Sequence, residues 1–355
     1  TISWLEDFLA NFENTVIVVS HDRHFLDAVC THIADIDFGK INLHTGNYTF
    51  WYESSQLALR QRAQQNKKIE DKRKELQSFI ERFSANASKS KQATSRKKLL
   101  EKLNVDDIKP SNRKYPAIIF EQEREAGDQI LHVDHLEHRS EGNLLFKDIN
   151  INLNRGDKVA IISKNSVAVS QFLKILAGDL EPDGGKVAWG ITTKQSYLPN
   201  ENAKFFENNY SLVDWLRQYT ENEEEKDEVY IRGFLGKMLF SGDEPLKNCG
   251  VLSGGEKVRC MLSRMMLKRA NVLIMDEPTS HLDLESITAL NNAMKDFKGT
   301  VIFSSHDHEL THTVANRIIE IGPNGMLDKL MSYDDYLADD KIKEQRKALY
   351  EGVTA

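Results

Sequence analysis

Leu252-Ser253-Gly254-Gly255-Glu256 and, a little downstream, Val272-Leu273-Ile274-Met275-Asp276-Glu277-Pro278-Thr279-Ser280-His281-Leu282-Asp283 decide how this chain folds. In the first stretch the glycines allow close backbone approach to a ligand. A helix starts at once, with Val258, Met261, Leu262, Met265 and Met266 spaced for one buried face. Its free N–H groups and positive end suit a phosphate. The second stretch is an apolar strand ending in two carboxylates. Burying those is costly unless they serve something at the strand's C-terminal edge. The economical assignment has Asp276 holding Mg²⁺, directly or through water, and Glu277 polarising an attacking water. His306 follows a further apolar strand, where a histidine could meet a γ-phosphate. Each piece also has a plain structural reading, a Gly-rich turn or a packed histidine; order, spacing and strand placement together favour the functional one.

The chain has 355 residues, enough for two domains, and its 40% hydrophobic content supports a buried core. No run of apolar residues is long enough to span a membrane, and the first residues carry no secretory signal. Cys30, Cys249 and Cys260 are scattered, which speaks against a disulfide framework or zinc site and for a reducing cytoplasm. The net charge of −7 hides an uneven distribution: residues 53–114 hold 17 Lys/Arg against 8 Asp/Glu. A basic insert in an acidic body points to a local anionic partner.

The sequence repeats itself. Leu5, Phe12 and Thr15-Val16-Ile17-Val18-Val19-Ser20-His21-Asp22 fall under Leu290, Phe297 and Thr300-Val301-Ile302-Phe303-Ser304-Ser305-His306-Asp307 at one offset. Each copy reads as an amphipathic helix, a turn, a buried apolar strand and Ser-His-Asp. Ile33–Ile36 and Ile318–Ile321 keep the register, and Tyr48–Glu53 answers Tyr333–Leu337. Two copies of one domain follow, the first represented by its C-terminal part alone. Between them residues 54–104 lack Gly and Pro, and Leu76, Phe79, Ile80 and Phe83 form one helical stripe. The pattern breaks at residues 84–88 and resumes toward Leu99. It predicts two antiparallel helices with Lys89, Lys91, Arg96, Lys97 and Lys98 near the tip.

Downstream, Lys158–Ile162, Val272–Met275 and Thr300–Ser304 read as buried strands; Ser170–Leu176, Glu256–Leu267 and Ser286–Phe297 read as helices. Buried strands alternating with helices predict an α/β domain with a mostly parallel sheet. The expected layout is a first-domain C-terminal remnant at 1–53, a basic helical-hairpin linker at 54–116, a second domain at 117–340 and a tail at 341–355.

These residues resemble the ATP-binding cassette (ABC) superfamily: a signature motif at 252–256, a Walker B strand at 272–277, a D-loop at 280–283 and an H-loop at His306. The resemblance covers about residues 129–340, and 1–53 as a remnant, and implies a P-loop NTPase-like fold, ATP and Mg²⁺ as cofactors, and ATP hydrolysis. The linker, with Phe79–Lys89, Gln92–Arg96 and Leu103, looks like the interdomain hairpin of ABC-F proteins, which have two cassettes and no transmembrane domain. That resemblance implies action on the ribosome in translation, with the hairpin reaching toward P-site tRNA. A basic helical tip is what a phosphate backbone requires, and without interleaved aromatics it would read backbone and shape more than bases. A solvated charged coiled coil is the bland alternative.

The resemblance also sets the remaining nucleotide-binding expectations. Ser163, Lys164, Asn165, Ser170 and Gln171 occupy the P-loop, with Ser170 joining Asp276 at the metal. Asn200 stands at the Q-loop position, and Ser253, Gly254, Gly255, Glu256 and Asp283 face the nucleotide shared with a partner cassette. The loop itself departs from G-x-x-x-x-G-K-[ST]: Ser163, Ser166 and Ala168 replace glycines, and Val169 replaces the lysine. Losing a charge-assisted contact worth about 1.5–3 kcal/mol weakens nucleotide binding roughly 10–100-fold. Any replaced glycine that needed a left-handed backbone would add about 1–2 kcal/mol of strain. The expected adenine-stacking aromatic is missing from His138-Arg139-Ser140. Asymmetry follows: one working site elsewhere, and here a weak or structural one, with turnover by this chain alone left open. Two rival readings stand beside this, a transporter ATPase subunit and a ribosome-binding module that uses no nucleotide. The remnant is expected to expose a sheet edge and an apolar helix face, and to be cut by proteases before about residue 55.

Overall fold

Helices α1 (Ile2–Ala10) and α2 (Arg23–Val29) open the chain, the second started by Asp22, whose carboxylate accepts the Phe25 amide at 3.1 Å. Strands β1 (His32–Asp37) and β2 (Lys40–Thr45) form an antiparallel hairpin that turns at Gly39, where φ is +71°. Helix α3 (Tyr48–Phe83) then runs 36 residues without interruption, and residues 95–100 form helix α4. The computed structural model describes residues 2–37, 39–83, 95–100 and 113–352, and the chain divides into two units, Thr1–Arg113 and Lys114–Ala355.

Within the first unit, Arg96 of α4 lies 3.8 Å above the Phe79 ring of α3, and Leu76 is buried. The break expected at residues 84–88 lies outside the described residues. The division expected at residue 53 falls inside α3. Its Gly- and Pro-free composition continues the helix that Tyr48 begins.

Residues 15–19 differ from expectation. They belong to no ladder, with Ile17 91% exposed, whereas Ile302 at the repeat-equivalent position is 0% exposed. Among the described residues no strand pairs with them, while Thr300–Ser304 has one on either side. The repeat is otherwise accurate element by element: Arg23–Val29 answers a helix at His308–Val314, and His32–Asp37 a strand at Arg317–Gly322.

The second unit adds, in order, β3 (Gln129–Ser140), β4 (Asn143–Asn154), β5 (Lys158–Ile162), α5 (Ser166–Ala177), β6 (Gly184–Trp189), β7 (Gln195–Leu198), α6 (Leu212–Arg217), α7 (Glu228–Lys237), α8 (Gly254–Lys268), β8 (Val272–Asp276), α9 (Leu284–Asp296), β9 (Thr300–Ser304), α10 (His308–Val314), β10 (Arg317–Gly322), β11 (Gly325–Lys329), α11 (Tyr333–Ala338) and α12 (Asp340–Leu349). A six-stranded sheet runs β11-β10-β5-β9-β8-β7, parallel except for β11. Its central strands are continuous apolar runs because both faces are covered. One face packs on α8, α9 and the α6–α7 region, the other on α5 and the antiparallel sheet β4-β3-β6. The α/β expectation holds, with that antiparallel sheet as an addition.

Two boundaries move. Helix α5 starts at Ser166, earlier than the expected Ser170, with the Asn165 side chain accepting the Val167 amide at 3.0 Å. Serine and alanine at former glycine positions favour helix, which lets the loop wind up. The 341–355 tail is corrected as well: α12 begins at Asp340 and docks through buried Ile342 and Leu349. Among the described residues no helix is long and apolar enough to cross a membrane.

Candidate nucleotide site

The C-terminal ends of β5, β7, β8 and β9 converge on one cavity of about 690 Å³. Ligands bind parallel α/β sheets at this edge because loops, free amides and helix starts collect there. Ser163, Ser170, Gln171, Asn200, Asp276, Glu277 and His306 all line it, so most of the P-loop, Walker B and H-loop expectations meet in one place.

The two acids differ in their surroundings. Asp276 is 2% exposed; its Oδ1 accepts the Ser304 hydroxyl at 2.9 Å, while Oδ2 is buried without a protein partner. An ionised oxygen so placed is costly unless a cation or ordered water meets it. Ser170 lines the same cavity. A hydroxyl and one free carboxylate oxygen suit Mg²⁺, which takes its other ligands from phosphates and water. Among the described residues no cluster of three acidic, histidine or cysteine side chains could hold a metal unaided.

Glu277 sits at φ +49°, a left-handed conformation that costs about 1–3 kcal/mol for a side-chain-bearing residue. Its amide donates to the Ser304 hydroxyl at 3.0 Å and to the Ser304 carbonyl at 3.2 Å. Its carboxylate accepts the His306 amide at 3.0 Å, with the His306 Nε2 3.5 Å away. Burial pushes the Glu277 carboxyl above its usual range, opposed by His306. Ser304 thus bridges the two acids through one hydroxyl. It went unassigned in the sequence, although it stands in the strand just before Ser305-His306.

Other expected residues are engaged elsewhere. Lys164 lies outside the cavity: its amide donates to the Tyr350 hydroxyl at 2.9 Å and its ammonium sits 4.5 Å over that ring. Asn165 is spent as the α5 cap. Ser163, Ser166 and Ala168 all avoid the left-handed region, so their replacement of glycine adds no backbone strain. Gln171 pairs with His138 at 2.6 Å and donates to Ser140 at 3.2 Å, and His138 itself is buried, which rules it out as a stacking platform. A second unforeseen group is buried Glu320 on β10, which accepts the Tyr336 and Tyr350 hydroxyls and pairs with Arg346. Arg346 and Tyr333 also line the cavity.

Ser253, Gly254, Gly255 and Glu256 do not line the cavity. Ser253 and Glu256 form a reciprocal cap at the start of α8. The glycines are required by a neighbour inside the chain: a Cβ on Gly255 would lie 2.7 Å from the His281 carbonyl, and one on Gly254 3.1 Å from the His281 ring. Ser253 and Gly254 remain exposed. Asp283 accepts the Ser286 amide as the α9 cap. In the first unit Lys97 and Lys98 are exposed and Arg96 is partly covered; Lys89 and Lys91 lie outside the described residues.

A mostly parallel α/β sheet with these acids at its edge is the ABC ATPase fold, and residues 114–355 form an ATP-binding cassette domain. Residues 146–280 match the family model described as ABC transporter, and a second model of that description matches residues 34–120. The chain is 57% identical over 98% of its length to the uncharacterized ABC transporter ATP-binding protein YkpA of Bacillus subtilis, and spans 64% of that protein. It is 42% identical over 97% of its length to the probable ATP-binding protein YbiT of Escherichia coli, again spanning 64%. ABC transporter F family member 5 of Arabidopsis thaliana is 33% identical over 95% of the chain, which covers 49% of it. The chain therefore spans between about half and two thirds of these relatives.

Proposed function

We propose that the chain belongs to a two-cassette ABC-F ATPase of the cytoplasm that couples ATP binding and hydrolysis to binding of the ribosome and tRNA. The observation that carries the nucleotide reading is Ser304 joining Asp276 to Glu277, with His306 holding the Glu277 carboxylate. In this reading Asp276 Oδ2 and Ser170 hold Mg²⁺, which would neutralise charge on the phosphates. Glu277 orients and deprotonates water, and its burial raises its basicity. The exposed Ser253-Gly254 end of α8 meets a nucleotide bound to another cassette. Residues 1–53 are the C-terminal part of such a cassette, whose remaining elements would cover Ile17 and its apolar neighbours. The F-family relative and the basic 53–114 segment support the ribosomal part.

Without a lysine at Val169, this second site holds Mg·ATP weakly. Titration of the chain with a fluorescent ATP analogue tests that, with phosphate release measured for Glu277→Gln beside the unaltered chain. Affinity indifferent to Ser170→Ala would remove the nucleotide reading. Salt-dependent cosedimentation with ribosomes supports the second part, and partition to membranes instead would refute it.

A further inference from the structure

A second cavity, of about 430 Å³, shares no lining residue with the nucleotide pocket. It opens between the C-terminal end of α5, strand β7, the turn at Lys204-Phe205 and the last turns of α8. Three cations line it, Lys204, Arg264 and Lys268, against one acid, Asp179. Among the described residues no carboxylate reaches within ion-pair distance of the three cations.

The guanidinium of Arg264 is fixed by two rings, 5.0 Å from the Phe205 centroid and 4.7 Å from that of Tyr219. Its Nη1 is nevertheless buried with no acceptor, and so is the Tyr197 hydroxyl on the cavity wall. Buried donors without acceptors are rare in folded proteins, and both of these belong to residues that line one cavity. Burial and the neighbouring Arg264 depress the Lys268 pKa, while burial keeps the Tyr197 hydroxyl protonated.

We propose that this cavity binds the phosphate group of an anionic ligand, held by Arg264, Lys268 and the Tyr197 hydroxyl, with Lys204 at its mouth. A tetrahedral oxyanion offers several acceptors at once, and a fixed guanidinium fork matches two of them. Three positive charges against one negative accommodate a dianion. The chemistry is the same whether the phosphate is free or belongs to an RNA backbone. The proposal is independent of the reading of the nucleotide pocket.

Calorimetric titration of the full chain with inorganic phosphate, without Mg²⁺ or nucleotide, tests it. Arg264→Gln and Lys268→Gln are each expected to weaken binding about 10-fold or more, and Arg264→Lys to weaken it less. Should either of these half-buried variants melt early, exposed Lys204→Gln must still weaken binding. Filter binding of a short RNA duplex separates the sources: weakening by Arg264→Gln assigns the phosphate to RNA, and unchanged RNA affinity beside weakened phosphate binding assigns it to the free ion. Phosphate binding lost in Ser170→Ala but kept in Arg264→Gln belongs to the nucleotide pocket and overturns the proposal, as does no binding at all.

Discussion

The backbone amide of Lys164 donates a 2.9 Å hydrogen bond to the hydroxyl of Tyr350, so the loop after β5 is tied to the segment that follows α12. The same hydroxyl donates to Glu320 at 2.9 Å. Tyr350→Phe keeps the ring beneath the Lys164 ammonium and removes both bonds, leaving a buried carboxylate short of a donor. A loss of about 1–3 kcal/mol follows, read as a lower Tm. An unchanged melt would show that solvent already serves these groups.

Glu277 gives a pH signature. Its pKa is raised in the folded state, so the stability contributed by its neutral form is present below the unfolded carboxylate pKa and is lost as pH rises through the folded one. Glu277→Gln, which cannot ionise, should melt with the unaltered chain near pH 4 and above it at pH 8. Each 1 kcal/mol of difference appears as about 2–4 °C in a domain of this size. Equal melting at both pH values would contradict a burial-raised carboxyl.

Gly255→Ala drives a Cβ into the His281 carbonyl, a backbone atom that cannot swing aside. Overpacking of this kind costs about 1–3 kcal/mol. Gly233→Ala in α7, where a Cβ meets nothing within 4 Å, should stabilise instead, by roughly 0.5–1 kcal/mol. Denaturant melts of the pair read opposite signs. The same sign for both would dismiss the packing account of the signature glycines.

Rebuilding the loop is a gain-of-binding experiment. Ser166→Gly, Ala168→Gly and Val169→Lys together should tighten Mg·ATP by about 10–100-fold, the worth of one charge-assisted contact. The helix start would retreat toward residue 170. No change in affinity would place the defect elsewhere.

Limited proteolysis should cut first before about residue 55. Ile17 and Val19 are 91% and 94% exposed on a segment outside any ladder. Equal resistance in both units would contradict this.

Three strands and the acids at their edge were legible because an apolar run ending in charge has few other uses. Ser304 was not: a serine in a strand carries no pattern, and its role exists only once β8 and β9 lie side by side. Lys164 and Asn165 sit in the expected motif, but Tyr350 engages the first and the start of α5 the second, contacts that only the fold supplies. Gly254 and Gly255 have a second need besides room for a ligand, the close approach of His281, a neighbour that only the fold supplies. The strand at residues 15–19 failed for the complementary reason: its local pattern is that of β9, but a ladder takes partners.

The uninterrupted run of α3 has a mechanical consequence. Thirty-six residues at helical rise make a rod of about 54 Å, with Tyr48 and Trp51 embedded at its base. A tilt of about 5° at that base swings the far end by roughly 5 Å over such a length. Small rearrangements beside Trp51 are thereby magnified at Phe83, as by a lever on a fulcrum.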